Sequence, residues 1–147
     1  MQSRLWTNLL ATAVALASLF ASISAAHAAT VVAKVDLSRQ RMNVYVDGRK
    51  KYTWVVSTGR QGWRTKPGVY TPYKMKRHYY SKRWRMSLPY LIWIGGDGTA
   101  VHGTTYAGRL GRPASHGCIR LSIRNAAKFY RLVERHGMWG TRVEVVR

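Results

Sequence analysis

The sequence predicts a mainly β domain with a single α-helix, and three patterns carry this prediction. Apolar and polar residues alternate in several short segments, as they do in half-buried strands. Turns that contain Gly or Pro separate these segments at short intervals. Only one stretch of the mature chain, near its C-terminus, repeats its apolar residues at helical spacing. We therefore expect one compact domain.

The first half of this domain is predicted to begin as a β-meander. Apolar residues alternate over residues 31–35, 42–46 and 52–56. Asp47-Gly48, between the second and third segments, is a strong hairpin turn because glycine adopts a positive φ without a Cβ clash. A loop rich in Gly and Pro then leads to a short strand predicted at Val69 to Thr71.

The second half contains a loop, two further strands, the helix and a closing strand. Lys74 to Arg85 shows no apolar period and is predicted to be a long exposed loop. A buried strand is expected after Pro89, within the apolar run that ends at Ile94, and another over residues 99–102. The helix is predicted to be capped by Ser122, with Ile123, Ala126, Tyr130 and Val133 on one face, and to end at Gly137. Residues 141–146 form the last strand.

The composition excludes a disordered basic tail. The chain has 147 residues, 25 Lys and Arg, 5 Asp and Glu, and a formal charge of +20. With 46% hydrophobic and 12% aromatic residues, it can build a packed core. A charge of this size indicates attraction to an anionic polymer or surface.

Residues 1–28 are predicted to be a signal peptide. A positive charge at Arg4 precedes an apolar run from Leu9 to Ile23, and Ala26-His27-Ala28 fits a small-x-small cleavage site. The run is shorter than a membrane-spanning helix requires, so an uncleaved anchor or a buried helix are the lesser alternatives. Cleavage leaves a domain over residues 29–147 with a charge of +19, no membrane span, and a location in the periplasm or cell envelope.

Cys118 is the only cysteine, so it cannot form an internal disulfide. In an exported protein, an unpaired thiol indicates intermolecular bonding or a reactive centre. A nucleophilic thiol needs a base and oxyanion donors. His102 and His116 are candidate bases, of which His102 at a strand end is the better placed, and the amides around Gly117 can converge on an oxyanion.

Arg120 projects near the same site and can hold a substrate carboxylate. The alternative to catalysis is that Cys118 is simply a buried thiol, that the two histidines only form hydrogen bonds, and that the Ser-His-Gly segment is an ordinary turn. Metal binding by His102, His116 and Cys118 is the weaker competitor, because the spacing follows no familiar zinc pattern and no acidic residue lies close in the sequence.

These residues resemble the signature of a known family. His102-Gly103-Thr104 followed by Ser115-His116-Gly117-Cys118-Ile119-Arg120-Leu121 is similar to the motif of the YkuD-type L,D-transpeptidases, which remodel peptidoglycan. The resemblance extends over nearly the whole mature chain, and the family's Thr-Pro-x-Gly turn appears here as Thr65-Lys66-Pro67-Gly68. A second departure is Asn125, where the family often has Asp. The fold that the resemblance implies is a β-sandwich of mixed sheets with the cysteine in a groove.

The resemblance also implies roles for individual residues. Cys118 would be the nucleophile and His102 the base, oriented by the backbone carbonyl of Gly103. His116 and Gly117 would surround the oxyanion together with Cys118. The substrate-binding candidates are Arg120, Ser115, Tyr90 and Trp93.

The implied reaction is acyl transfer by a cysteine acyltransferase. Cys118 attacks the bond between the L and D centres of a stem tetrapeptide, releases D-alanine and forms a thioester. A diaminopimelate amine of an acceptor stem then completes a 3-3 cross-link, or a protein amine, such as that of an outer-membrane protein, takes its place. No cofactor and no metal are implied. Hydrolysis of the thioester, as in an L,D-carboxypeptidase or in detachment of a wall-anchored protein, is the alternative within the family.

A non-enzymatic role remains as a rival hypothesis. Basic and aromatic residues alternate irregularly from Tyr73 to Arg85, which is typical of a binder of anionic polymer. Export argues against nucleic acid as the partner, so the polymer would be one of the cell envelope.

Overall fold

The computed structural model describes residues 30–147 of the chain. The predicted signal peptide, residues 1–28, lies outside the described residues. No helix within residues 30–147 is both long enough and apolar enough to cross a bilayer.

The predicted meander forms most of a five-stranded mixed sheet. Its strands lie in the order β3-β2-β1-β11-β4, in which β1 and β11 are parallel and the other neighbours antiparallel. Asp47 and Gly48 turn β2 into β3 with φ of 49° and 75°, as a type I′ hairpin requires. The strand bounds are β1 Val31–Asp36, β2 Arg41–Val46, β3 Arg49–Val55, β4 Gly68–Tyr70 and, at the C-terminus, β11 Thr141–Val146.

A second, four-stranded mixed sheet carries the cysteine loop. Its order is β10-β9-β8-β5, with β9 and β10 parallel. A separate hairpin of β6 and β7 stands between β5 and β8 in the chain, and a 3-10 turn covers Ala107–Arg109. The bounds are β5 Lys74–Lys76, β6 Tyr80–Ser81, β7 Met86–Ser87, β8 Leu91–Trp93, β9 Ala100–Thr104 and β10 Ile119–Ser122.

The single helix within the described residues, α1 Ile123–His136, begins directly after β10. The Ser122 hydroxyl accepts a hydrogen bond from the Asn125 amide at 3.2 Å, which satisfies one of the free N–H groups of the first turn. Gly137 ends the helix at a φ of 79°. Phe129, an aromatic residue of α1, is fully buried. Ile123, which was predicted to lie on the buried face, is 39% exposed.

The core lies where the two sheets and α1 meet. Alternate residues of β1, β2 and β11 face β8, β9, β10 and the helix, so each strand contributes every second side chain. Its fully buried members include Val31, Ala33, Val35, Met42, Val44, Ile92, Ile119, Leu121, Phe129, Val133 and Val143. The predicted β-sandwich of mixed sheets with one helix is thereby confirmed.

One predicted segment differs from the structure. Residues 74–85 are not a structureless loop, because β5 pairs with β8 and β6 pairs with β7. The strands are two or three residues long, too short for an apolar period to show in the sequence. Lysines at both ends of β5 suit an edge strand, since their charge opposes pairing with another chain.

Gly103 in β9 allows α1 to approach the second sheet closely. A Cβ at this position would lie 3.2 Å from the Ile123 Cα and 3.2 Å from the Pro89 Cγ. The Gly103 amide also donates to the Pro89 carbonyl at 2.8 Å, so the backbone has little freedom to retreat.

We expect Gly103→Ala to lower the free energy of unfolding by about 1–3 kcal/mol, because an added methyl group overpacks a tight contact. Urea denaturation measures this loss. Gly108→Ala is the matched control, since nothing lies within 4 Å of a Cβ there. Equal stability of the two variants would contradict the close approach.

Candidate active site

The Cys118 loop is organised by the side chain of Ser115. The Ser115 hydroxyl donates to the Cys118 carbonyl and accepts from the Gly117 amide at 3.1 Å. This closes a tight turn in which Gly117 has a φ of 110°, a conformation that favours glycine. Ser115 is fully buried. These hydrogen bonds therefore hold the loop that carries the Cys118 thiol in one conformation.

Thr65 connects this loop to the neighbouring one. Its hydroxyl donates to the Gly117 carbonyl at 2.8 Å and accepts from the Gly59 amide at 2.9 Å. Thr65 is 2% exposed, so both bonds are shielded from water. The loop of residues 59–65 is thus fastened along one side of the cysteine.

His102 is held as a neutral imidazole with a defined tautomer. Its Nδ1 lies 2.7 Å from the Gly103 carbonyl oxygen, and because a carbonyl can only accept, Nδ1 carries the proton and Nε2 has the free lone pair. Burial lowers the pKa of His102 to about 4, opposed by the Gly103 hydrogen bond and assisted by the charge of Arg120. At neutral pH the imidazole is therefore a proton acceptor.

Cys118 is partly exposed. Cys118 and His102 line the same small cavity of about 30 Å³. Burial raises the pKa of the Cys118 thiol, while the Ala100 amide and the charge of Arg120 oppose the rise. The resting pair is thus a thiol and a neutral imidazole, not an ion pair.

Arg120 completes the cavity. It sits opposite His102 in the parallel register of β9 and β10, so both side chains emerge on one face. Arg120 is 7% exposed, and the one hydrogen bond that its side chain makes within residues 30–147 is a long one of 3.5 Å from Nη1 to the Ala114 carbonyl. Its buried Nε has no partner among the described residues. A buried guanidinium donor without an acceptor is well suited to an anionic ligand.

A groove of about 440 Å³ runs over Cys118. One wall is an aromatic cluster of Trp63, Trp84 and His116, in which the Trp84 and His116 rings stack at 4.1 Å and Trp63 meets both rings edge-on. Trp93 also lines the groove. Partial burial, with the charges of Arg60, Arg120 and Arg83, lowers the pKa of His116. His116 is therefore part of the wall, stacked on tryptophan.

The groove carries charges of both signs. Arg64 and Arg83 lie along it, and Asp97 lies at its edge. Lys66 forms an ion pair with Asp97 at 3.6 Å. In the described part of the chain, no three His, Cys, Asp or Glu side chains cluster as a metal site would require.

The structure brings most of the sequence-predicted residues together, and it gives three of them contacts other than the expected ones. Tyr90 lies outside the groove lining, because its ring packs against Tyr130 of α1 at 5.7 Å. Ser115 is buried inside the turn, where its hydroxyl is used by the loop backbone. The Gly117 amide donates to that hydroxyl and is not free for an oxyanion.

Sequence reasoning missed the residues that fasten the loops. Gln40, 3% exposed, accepts from the Thr58 amide at 2.9 Å and donates to the Thr58 hydroxyl at 2.7 Å, which fixes the start of the segment beside Arg120. The only indication of such bonds in the sequence is that these residues carry amide and hydroxyl side chains. The aromatic wall was also missed, since Trp63 and Trp84 are 21 residues apart.

We expect the free energy of unfolding to fall by about 3 kcal/mol between pH 6.5 and pH 4 through His102, at 1.36 kcal/mol per unit of pKa shift. The folded-state pKa is about 4 and the usual value is 6.5, so the unfolded chain binds the proton first as the pH falls. The stabilisation is complete above pH 6.5 and is lost towards pH 4. Urea denaturation across this range measures it.

The variant His102→Asn should lose this pH-dependent part, because asparagine can still donate to the Gly103 carbonyl but does not titrate. His78→Asn, at an exposed histidine, is the control and should retain the slope. An unchanged slope in His102→Asn would show that the imidazole is not the group responsible.

Comparison with known proteins agrees with this geometry. The family model described as the L,D-transpeptidase catalytic domain, YkuD, matches residues 30–145. No curated protein sequence matches the chain. An L,D-transpeptidase from Mycobacterium tuberculosis H37Rv is 28% identical, with a TM-score of 0.70, over 80% of this chain and 58% of that one. One from Stackebrandtia nassauensis is 28% identical, with a TM-score of 0.69, over 87% and 62%.

A third solved structure is L,D-transpeptidase 3 of Mycobacterium tuberculosis in complex with a faropenem-derived adduct. It is 25% identical, with a TM-score of 0.69, over 80% of this chain and 60% of that one. The chain thus spans less than two thirds of the length of these solved proteins. Since the family model covers almost all of the described residues, and the thiol, imidazole and guanidinium of its motif meet at one cavity, this protein belongs to the YkuD family of L,D-transpeptidase catalytic domains.

Proposed function

We propose that the protein is an exported cysteine acyltransferase that acts as a peptidoglycan L,D-transpeptidase. The observation that carries this proposal is the shared cavity of Cys118, His102 and Arg120 under an open groove. The partners are a donor stem tetrapeptide and an acceptor that bears an amine, either diaminopimelate or a protein side chain. The place of action is the periplasm or cell envelope.

In the acylation step, the Cys118 sulfur attacks the carbonyl at the L–D bond of the donor. The neutral His102 Nε2 takes the thiol proton as the carbon–sulfur bond forms, and the Gly103 carbonyl stabilises the imidazolium through Nδ1–H. The imidazolium then gives its proton to the departing D-alanine nitrogen. A thioester and free D-alanine are the products.

The oxyanion formed during attack is assigned to the amide of Cys118. The Gly117 amide already donates to Ser115, and Cys118 supplies the next N–H along the turn. Arg120 contributes in a second way, because its buried charge favours the thiolate over the thiol and offers Nε to a substrate carboxylate. Both contributions stabilise negative charge in the same cavity.

In the deacylation step, an acceptor amine attacks the thioester carbonyl. The amine loses a proton to His102, a carbon–nitrogen bond forms, and the carbon–sulfur bond breaks to regenerate the thiol. Water in place of the amine gives hydrolysis, the alternative outcome of the same chemistry. The large basic charge supports adhesion to an acidic envelope polymer as an accessory property, one that added salt weakens.

We expect wild-type protein to gain the mass of a carbapenem or penem, and Cys118→Ala to gain none. The similarity to a transpeptidase solved with a faropenem-derived adduct supports the choice of reagent. Intact-mass spectrometry checks the adduct, and the same samples incubated with disaccharide tetrapeptide report loss of D-alanine. Turnover by Cys118→Ala would refute the assignment, and circular dichroism of the variant provides the control for folding.

We expect Arg120→Met to lower stem-peptide turnover at least about tenfold, the effect of losing one good charge-assisted hydrogen bond. Reaction of Cys118 with a small uncharged thiol reagent should fall much less, because no carboxylate is bound there. Arg120→Lys should restore part of the turnover by restoring the charge. Equal losses in both assays would instead indicate that Arg120 only maintains the fold of the loop.

A further inference from the structure

Asp97 stands out in the charge distribution of the groove. The chain has only five acidic residues, and of these Asp97 alone lines the groove over Cys118. The others are Asp36, Asp47, Glu134 and Glu144. In a protein of charge +20, one carboxylate in the groove over the nucleophile calls for a chemical explanation.

Burial and, to a smaller extent, the charge of Asp97 raise the pKa of the Cys118 thiol, so this carboxylate acts on the thiol electrostatically. The turn that carries Asp97 also contacts the thiol and holds the carboxylate in place. Gly98, the next residue, has its carbonyl oxygen 3.9 Å from the Cys118 sulfur. The Thr99 amide donates to Asp97 Oδ1 at 3.0 Å, which fixes the side chain within the turn between β8 and β9. The other oxygen, Oδ2, faces the Lys66 ammonium at 3.6 Å.

Lys66 is similarly positioned. It follows Thr65, whose hydroxyl is bonded to the Gly117 carbonyl, so the backbone at Lys66 is fastened to the cysteine loop. Both members of the ion pair remain open to solvent, with side chains 76% and 48% exposed. An exposed pair of this kind contributes little to stability, because water screens it. Its groups are free to exchange partners with a ligand.

The ion pair is complementary to an amine that carries a carboxylate on the same carbon. Such a zwitterion can lie head to tail against it, with its ammonium on Asp97 and its carboxylate on Lys66. The Lys66 ammonium already shows that this carboxylate accepts an amine as a partner. The D centre of diaminopimelate has this arrangement, whereas the side-chain amine of lysine has no carboxylate beside it.

We propose that Asp97 and Lys66 form the acceptor subsite, and that they select an amine with a carboxylate on the same carbon. The inference rests on the proposed transpeptidase function. Asp97 holds the acceptor nitrogen at the groove edge as an ammonium, which releases one proton to solvent before attack. The neutral amine then attacks the thioester carbonyl, so that the carbon–nitrogen bond forms and the carbon–sulfur bond breaks. The second amine proton passes to His102 and from there to the departing sulfur, which regenerates the Cys118 thiol.

The experiment uses two acceptors that differ only in the carboxylate, D-methionine and D-methioninamide. The full mature chain is incubated with donor tetrapeptide and each amine, and mass spectrometry reports exchanged, hydrolysed and thioester species. D-methionine is distinguishable by mass from the D-alanine released. Each variant is compared with wild type for each amine, which cancels the different basicities of the two amines.

We expect Asp97→Asn to reduce exchange with both amines about three- to fivefold, the effect of losing one solvent-exposed charge pair. The loss should be confined to the amine-dependent step, so that the ratio of hydrolysis to exchange rises. Lys66→Gln should reduce exchange with D-methionine only. The matched controls are Lys34→Gln and Glu144→Gln, which disrupt an ion pair of 3.5 Å on the other sheet and should change neither reaction.

The outcomes distinguish an acceptor subsite from an ion pair that has only a structural role. If the pair only ties the loops together, Asp97→Asn and Lys66→Gln will act alike on both amines, and the proposal is overturned. An unchanged ratio of hydrolysis to exchange in Asp97→Asn overturns it as well. If wild-type protein forms no thioester with the tetrapeptide, the proposed function itself has failed, and this is seen before any amine is added.

Discussion

The parallel pairing of β9 with β10 is the constraint on which the candidate active site depends. It places His102 directly opposite Arg120, so both side chains emerge on one face of the sheet. Cys118 immediately precedes β10 and reaches the same cavity. Because parallel neighbours need a long connection, the intervening residues 105–118 are available to build the loop that presents the thiol.

Burial determines the protonation state of the reacting pair. Desolvation lowers the pKa of His102 and raises that of Cys118, so neither group is charged at rest. A neutral imidazole with its Nδ1 proton on the Gly103 carbonyl is ready to accept the thiol proton. The charge of Arg120 favours the thiolate that follows.

The groove contains both positively and negatively charged side chains, although the protein as a whole is strongly basic. Arg64 and Arg83 line it together with Asp97, and the aromatic wall of Trp63, Trp84 and His116 supplies apolar area beside the thiol. Such a combination suits a peptide that bears both carboxylates and amines. The proposed acceptor subsite assigns the single carboxylate of the groove to the amine of that peptide.

The sequence by itself determined the meander, the capped helix and the motif around Cys118, because these are set by local periodicity, turn chemistry and residue spacing. It also made His102 and Arg120 candidates. Tertiary structure alone decided that Tyr90 packs on α1, that Ser115 and Thr65 fasten the loop, and that Asp97 lines the groove over Cys118. These features depend on contacts between residues that are distant in the chain. The packing of the two sheets and the register of their strands set such contacts, which leave no local pattern in the sequence.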